Sequence, residues 1–159
     1  MNKKAIIAGV VVAGLGAWLW MGGDDEAKKD AQDSVSLTDQ IWIDKMPMRE
    51  KDKVSVFAMI SDANLGVFDK TSAYEGEFSL FKYRLRKGEA TITMLQTDKR
   101  HKVSFKVSKG DCGRQFEYCL RVKGAPRGAK VYGTRSEWRI ESGSDVHDLE
   151  RFVKTLRVE

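Results

Sequence analysis

Histidine and cysteine are scarce in this chain, two of each, and the scarcity removes most enzyme chemistry at the outset. Nucleophilic catalysis needs a serine or cysteine with a histidine base in reach. His101 stands beside an expected turn and His147 on the flank of an expected helix, so no triad is suggested. Metal sites commonly use closer cysteine pairs with further Cys or His partners, and a redox pair keeps two residues between its cysteines. Six residues lie between Cys112 and Cys119. No glycine-rich phosphate loop follows a strand, because Gly110-Asp111-Cys112-Gly113 is a turn with no helix behind it. Acidic residues are scattered among lysines and arginines, which leaves no carboxylate pair for acid–base work. The expectation is a chain that is not an enzyme, with no catalytic residue, metal or cofactor.

Long hydrophobic runs are also lacking, with one exception. Met-Asn-Lys-Lys is followed by an unbroken apolar stretch, Ala5 to Met21, and then by Gly22-Gly23-Asp24-Asp25-Glu26. Seventeen such residues make a helix of about 25 Å, close to the ~30 Å hydrocarbon core of a bilayer. Lys3 and Lys4 mark its cytoplasmic end, and Trp18 and Trp20 suit the opposite interface. Small residues at the cleavage positions are missing, since Leu15 or Met21 would occupy −3, so a retained anchor is favoured over a cleaved signal. No cysteine closes the stretch, which excludes lipoprotein processing. Residues 1–21 are therefore predicted to be a single transmembrane helix of a bacterial inner membrane, with everything downstream in the periplasm. Ala5, Gly9, Ala13 and Ala17 form a small-residue stripe on it, as expected of any anchor rich in Ala and Gly.

Residues 22–40 are polar and mildly acidic, and are expected to form a flexible tether. Residues 41–159 hold 24 Lys and Arg against 17 Asp and Glu, which makes the remaining domain basic. Alternation dominates it, the mark of strands with one buried face. Val103, Phe105 and Val107 alternate with lysines and serines; Phe116, Tyr118, Leu120 and Val122 alternate with polar residues; Trp138 and Ile140 do the same. Further strands are expected over 41–46, 53–61, 65–69, 77–86, 90–97 and 130–135. Short turns such as Lys87-Gly88 and Lys109-Gly110-Asp111 imply antiparallel neighbours. The alternation changes phase between Leu80 and Phe81, which predicts either a bulge or burial on both faces. The period becomes helical only at 144–157, where Val146, Leu149, Phe152, Val153 and Leu156 recur.

About eight short antiparallel strands joined as a meander favour closure into a barrel, because closure removes the free edges. The fold class is thus mainly β, an up-and-down barrel of about eight strands with a C-terminal α-helix, preceded by the N-terminal transmembrane helix. In element order this resembles the lipocalin architecture. The glycine–any–tryptophan entry motif is absent, since Ile41-Trp42-Ile43 supplies the tryptophan without the glycine, and no functional residue carries over.

In an oxidising compartment Cys112 and Cys119 are expected to form a disulfide, with Cys119 on the polar parity of its strand and hence facing outward. The basic residues are the main functional lead. Lys82, Arg84 and Arg86 share one parity of a strand, Lys102 and Lys106 the polar parity of another, and Arg121 and Lys123 that of a third. Should those strands be neighbours, they make a positive face for an envelope protein or an anionic envelope polymer. Nucleic acid is not expected, because the aromatics of residues 103–122 lie on the opposite parity from the charges. The competing reading is a lipocalin-like carrier of a small apolar ligand. The large residues assigned to the interior (Ile92, Met94, Val103, Phe105, Val107, Phe116, Tyr118, Leu120, Val122, Trp138 and Ile140) speak for a filled barrel instead.

Overall fold

The computed structural model describes residues 35–141, 143–144 and 146–156. Eight antiparallel strands close into one barrel in sequence order. They are β1 (Ile41–Ile43), β2 (Val54–Ile60), β3 (Leu65–Thr71), β4 (Gly76–Arg86), β5 (Glu89–Met94), β6 (Arg100–Lys109), β7 (Tyr118–Lys123) and β8 (Val131–Thr134). One helix follows, α1 (Val146–Thr155), shorter than the expected 144–157. The predicted anchor at 1–21, with Lys3, Lys4, Trp18 and Trp20, lies outside the described residues. No helix among the described residues is long and apolar enough to cross a membrane.

Closure comes from the two long strands. β4 pairs with β3 through Gly76–Lys82 and with β5 through Phe81–Arg86. β6 likewise gives Arg100–Ser104 to β5 and Ser104–Lys109 to β7. Each long strand thus passes its neighbours on at an offset, and that stagger bends a twisted sheet into a cylinder. The last seam is thin, a single β1–β8 pair at Ile43 and Gly133. Buried side chains reinforce it. Gln40 Nε2 donates to Thr134 Oγ1 (2.8 Å) and to the Arg135 carbonyl (2.7 Å), while the Thr134 hydroxyl donates to the Ile41 carbonyl (2.6 Å).

Both surfaces of the barrel wall carry apolar residues, and this explains several departures from simple alternation. The interior is filled by Trp42, Phe57, Phe68, Phe81, Phe105 and Tyr132, with Ile92, Val103 and Leu120 between them. Ring centroids lie 4.8 Å apart for Phe68–Phe81 and 5.5 Å for Phe57–Phe105. A second cluster sits outside, where Ile41, Ile43, Val54, Val56, Ala58 and Val67 pack beneath Trp138 and the Leu149, Phe152 and Leu156 side chains of the α1 region. The phase change in β4 follows from it. The ladder runs unbroken from Gly76 to Lys82, so there is no bulge. Leu80 joins the outer cluster and Phe81 the inner one.

Three residues assigned to the interior belong outside. Phe116 precedes β7 and lies over Gly133, where a Cβ would collide with its ring. Trp138 and Ile140 form no strand; a lone bridge between Gln40 and Arg139 marks that segment. Trp138 instead meets Phe116 edge-on at 6.1 Å and Phe152 at 5.5 Å. Alternation reports that one face is buried but not which side of the wall it faces, and here both sides have a core. The boundary of the tether also moves. Val35 and Leu37 pack against the inner cluster and Gln40 is buried, so the folded unit extends N-terminally of residue 41.

Candidate anion-binding face

The outer surface divides in two. The side formed by β1, β2, β3 and the first half of β4 carries the apolar cluster under α1. The side formed by the second half of β4 with β5, β6 and the Arg121–Lys123 end of β7 has no such cover, and its outward positions are set by register. Lys82 is level with Thr93, and Thr93 with Arg100. Arg84 is level with Thr91, and Thr91 with Lys102. Arg86 opposes Glu89, Lys106 opposes Arg121, and Ser104 opposes Lys123. All seven basic residues singled out in the sequence (Lys82, Arg84, Arg86, Lys102, Lys106, Arg121 and Lys123) therefore lie on one continuous outward surface and are exposed. Glu89 is the single acidic residue among the outward strand positions there.

Ion pairing within the face is sparse. Arg121 reaches Asp111 at 3.7 Å. Lys82, Arg84, Arg86, Arg100, Lys102, Lys106 and Lys123 form no ion pair among the described residues. Elsewhere cations do find partners, as in Lys53–Glu75 (2.8 Å) and Arg127–Glu77 (2.6 Å). Two like charges two residues apart on a strand, about 7 Å, repel by about 0.6 kcal/mol in water before salt screening. The fold gains nothing from that repulsion, and an anion would remove it.

The face is also concave at one place. A depression of about 770 Å³ lies over β4, β5 and the start of β6, with Lys82, Arg84 and Arg100 beside Thr91 and Thr93. The β2–β3 turn (Ser61, Ala63, Asn64) and Thr38 form its far wall. Local backbone preferences build that wall. Asn64 takes a left-handed φ of 49°, which asparagine tolerates, and its carbonyl accepts from the Tyr83 N–H at 3.1 Å. Asp39 is turned to the backbone, accepting from the Ser61 N–H at 2.8 Å. Lys87 and Gly88 both take positive φ, a two-residue hairpin that matches the strand twist and holds Arg84 and Arg86 level with β5. Thr91 and Thr93 were not singled out from the sequence. The signal was present, since both hydroxyls alternate with Ala90, Ile92 and Met94.

The cysteines lie on the outer surface at the edge of this face. Cys112 and Cys119 form a disulfide. Cys119 faces outward, as its parity indicates, yet it is fully buried rather than exposed. The loop that carries Cys112 and Phe116 folds back over β7 and β8, and so covers it. Groups of three or more His, Cys, Asp or Glu suited to a metal are absent among the described residues. No protein-family model, curated protein or solved structure matches this chain.

Proposed function

We propose that the chain is a non-catalytic binding module of the cell envelope, and that it engages a polyanionic partner through the uncovered face of β4–β7. On this reading residues 1–21 hold it in a bacterial inner membrane and the barrel works in the periplasm. The disulfide supports an oxidising compartment of that kind. One observation carries the proposal: seven cations from β4, β6 and β7 share one surface, and most of them lack an internal counter-charge. The lipocalin-like alternative needs room inside the barrel, and the mutually packed rings of Phe57, Phe68, Phe81, Phe105 and Tyr132 occupy that space.

The test is fluorescence anisotropy of labelled dextran sulfate with the full chain in non-ionic detergent, across a salt series. Binding is expected to weaken steeply with salt, and by about tenfold or more when Lys82, Arg84, Arg86, Lys102, Lys106 and Lys123 are all changed to Gln. Salt-insensitive binding, or none, refutes the proposal.

A further inference from the structure

We infer that the depression over β4–β6 is a binding site for phosphate groups, with room for two of them side by side; this rests on the anion-binding reading above and specifies its ligand. The register builds two parallel rows of the same composition. One runs Lys82–Thr93–Arg100, all three lining the depression, and the other Arg84–Thr91–Lys102, whose Lys102 stands just beyond the lining. Each places a hydroxyl on the central strand between two cations on the flanking strands. Adjacent strands are about 4.8 Å apart, so the cations of a row stand about 10 Å apart with the threonine midway. Long side chains can lean inward from both sides onto a tetrahedral anion held over that threonine. The two rows are about 7 Å apart along the strands.

Donor type and charge select the ligand. Arginine offers a planar fork to phosphate oxygens, lysine a point charge, and threonine a hydroxyl that donates one hydrogen bond. Neither Thr91 nor Thr93 spends its hydroxyl on a protein partner among the described residues. Two cations per hydroxyl match the charge of about −1.5 to −2 on a phosphate monoester at neutral pH. A carboxylate or sulfate ester carries a single negative charge and leaves one cation of each row uncompensated. Acidic side chains are kept off the floor, as Glu89 belongs to the next row with Arg86 and Asp39 is committed to the Ser61 backbone.

Removing the hydroxyls without touching the charges tests the idea. Thr91→Val and Thr93→Val together keep β-branched shape and leave every cation in place. The full chain in non-ionic detergent is titrated calorimetrically with inorganic tripolyphosphate. Wild type is expected to bind, and the double variant to bind about tenfold more weakly for each hydroxyl lost. Its affinity for dextran sulfate should stay within about twofold, since that depends on the field alone. Mixed micelles containing phosphatidic acid form a second arm. Competition with tripolyphosphate assigns the site to lipid headgroups, and lack of competition to a soluble polyphosphate; either is consistent with a phosphate site. Equal tripolyphosphate binding by wild type and the double variant overturns the proposal. So does dextran sulfate binding without any tripolyphosphate binding, whereas loss of both would instead remove the broader anion-binding reading.

Discussion

Gly66 is the second residue of β3, where a strand residue would ordinarily carry a side chain, and its replacement by alanine is a sharp test of how the barrel is filled. A Cβ at that position would overlap Cζ and Cε2 of Phe81 and stand 2.9 Å from the Ala58 carbonyl oxygen. The carbonyl belongs to the β2 backbone and has little freedom to yield. The ring is fully buried, 4.8 Å from Phe68 and 6.2 Å from Phe57 between centroids, so it has nowhere to go without displacing other rings. Overpacking of this kind costs about 1–3 kcal/mol, and expelling a phenylalanine from a core costs about 3–5 kcal/mol. Gly66→Ala is therefore expected to destabilise by about 3 kcal/mol, a fall of roughly 10–20 °C in Tm for a domain of this size. The measurement is urea unfolding followed by tryptophan fluorescence, with Gly76→Ala as comparison. At Gly76 a Cβ would meet only the Thr71 side chain, Oγ1 at 3.4 Å and Cβ at 3.9 Å, and a change within about 0.5 kcal/mol is expected. Phe81→Leu in the Gly66→Ala background should recover part of the loss. Equal stability of Gly66→Ala and wild type would refute the close approach of Phe81 to β3, and with it the filled interior.

Two further outcomes follow from the same fold. Replacing Cys112 and Cys119 together with Ala removes a loop closed across a sequence separation of 7, and is expected to cost about 2–2.5 kcal/mol in the chain-entropy picture; unchanged denaturant midpoints for that variant and for reduced wild type would contradict it. Burial holds the Tyr132 phenol well above its ordinary pKa, even though its oxygen accepts from the Ala129 N–H at 2.7 Å, and burial also raises Tyr83. The fold thus favours the neutral phenol, so this stability is fully present below about pH 10, where unfolded tyrosine titrates, and is lost as pH rises beyond it. Unfolding midpoints should decline from about pH 10 upward, less steeply in Tyr132→Phe; a flat wild-type profile to pH 12 would exclude the effect.

Much of the barrel was legible because the relevant physics is local. Strand periodicity at Val103–Val107 and Tyr118–Val122, and turn chemistry at Lys87-Gly88, report on neighbouring residues alone. Antiparallel order follows once the connections are too short for crossovers. What misled the reading of Phe116, Trp138 and Ile140 was a second apolar layer. A side chain under α1 and one inside the barrel leave the same mark on the sequence, and only the path of the chain separates them.

The sequence by itself determined the strand faces, the spacing of the two thiols and the parity of every cation, because each depends on a two-residue repeat or on composition. Register and closure belonged to the tertiary structure. Whether Lys82 meets Thr93 and Arg100, or slips past them, is decided by the hydrogen-bond register between β4, β5 and β6. The side of the wall that α1 covers is settled likewise, by where its apolar face finds a partner. Those pairings turn separate basic stripes into one uncovered surface, and the alternation within a single strand does not contain them.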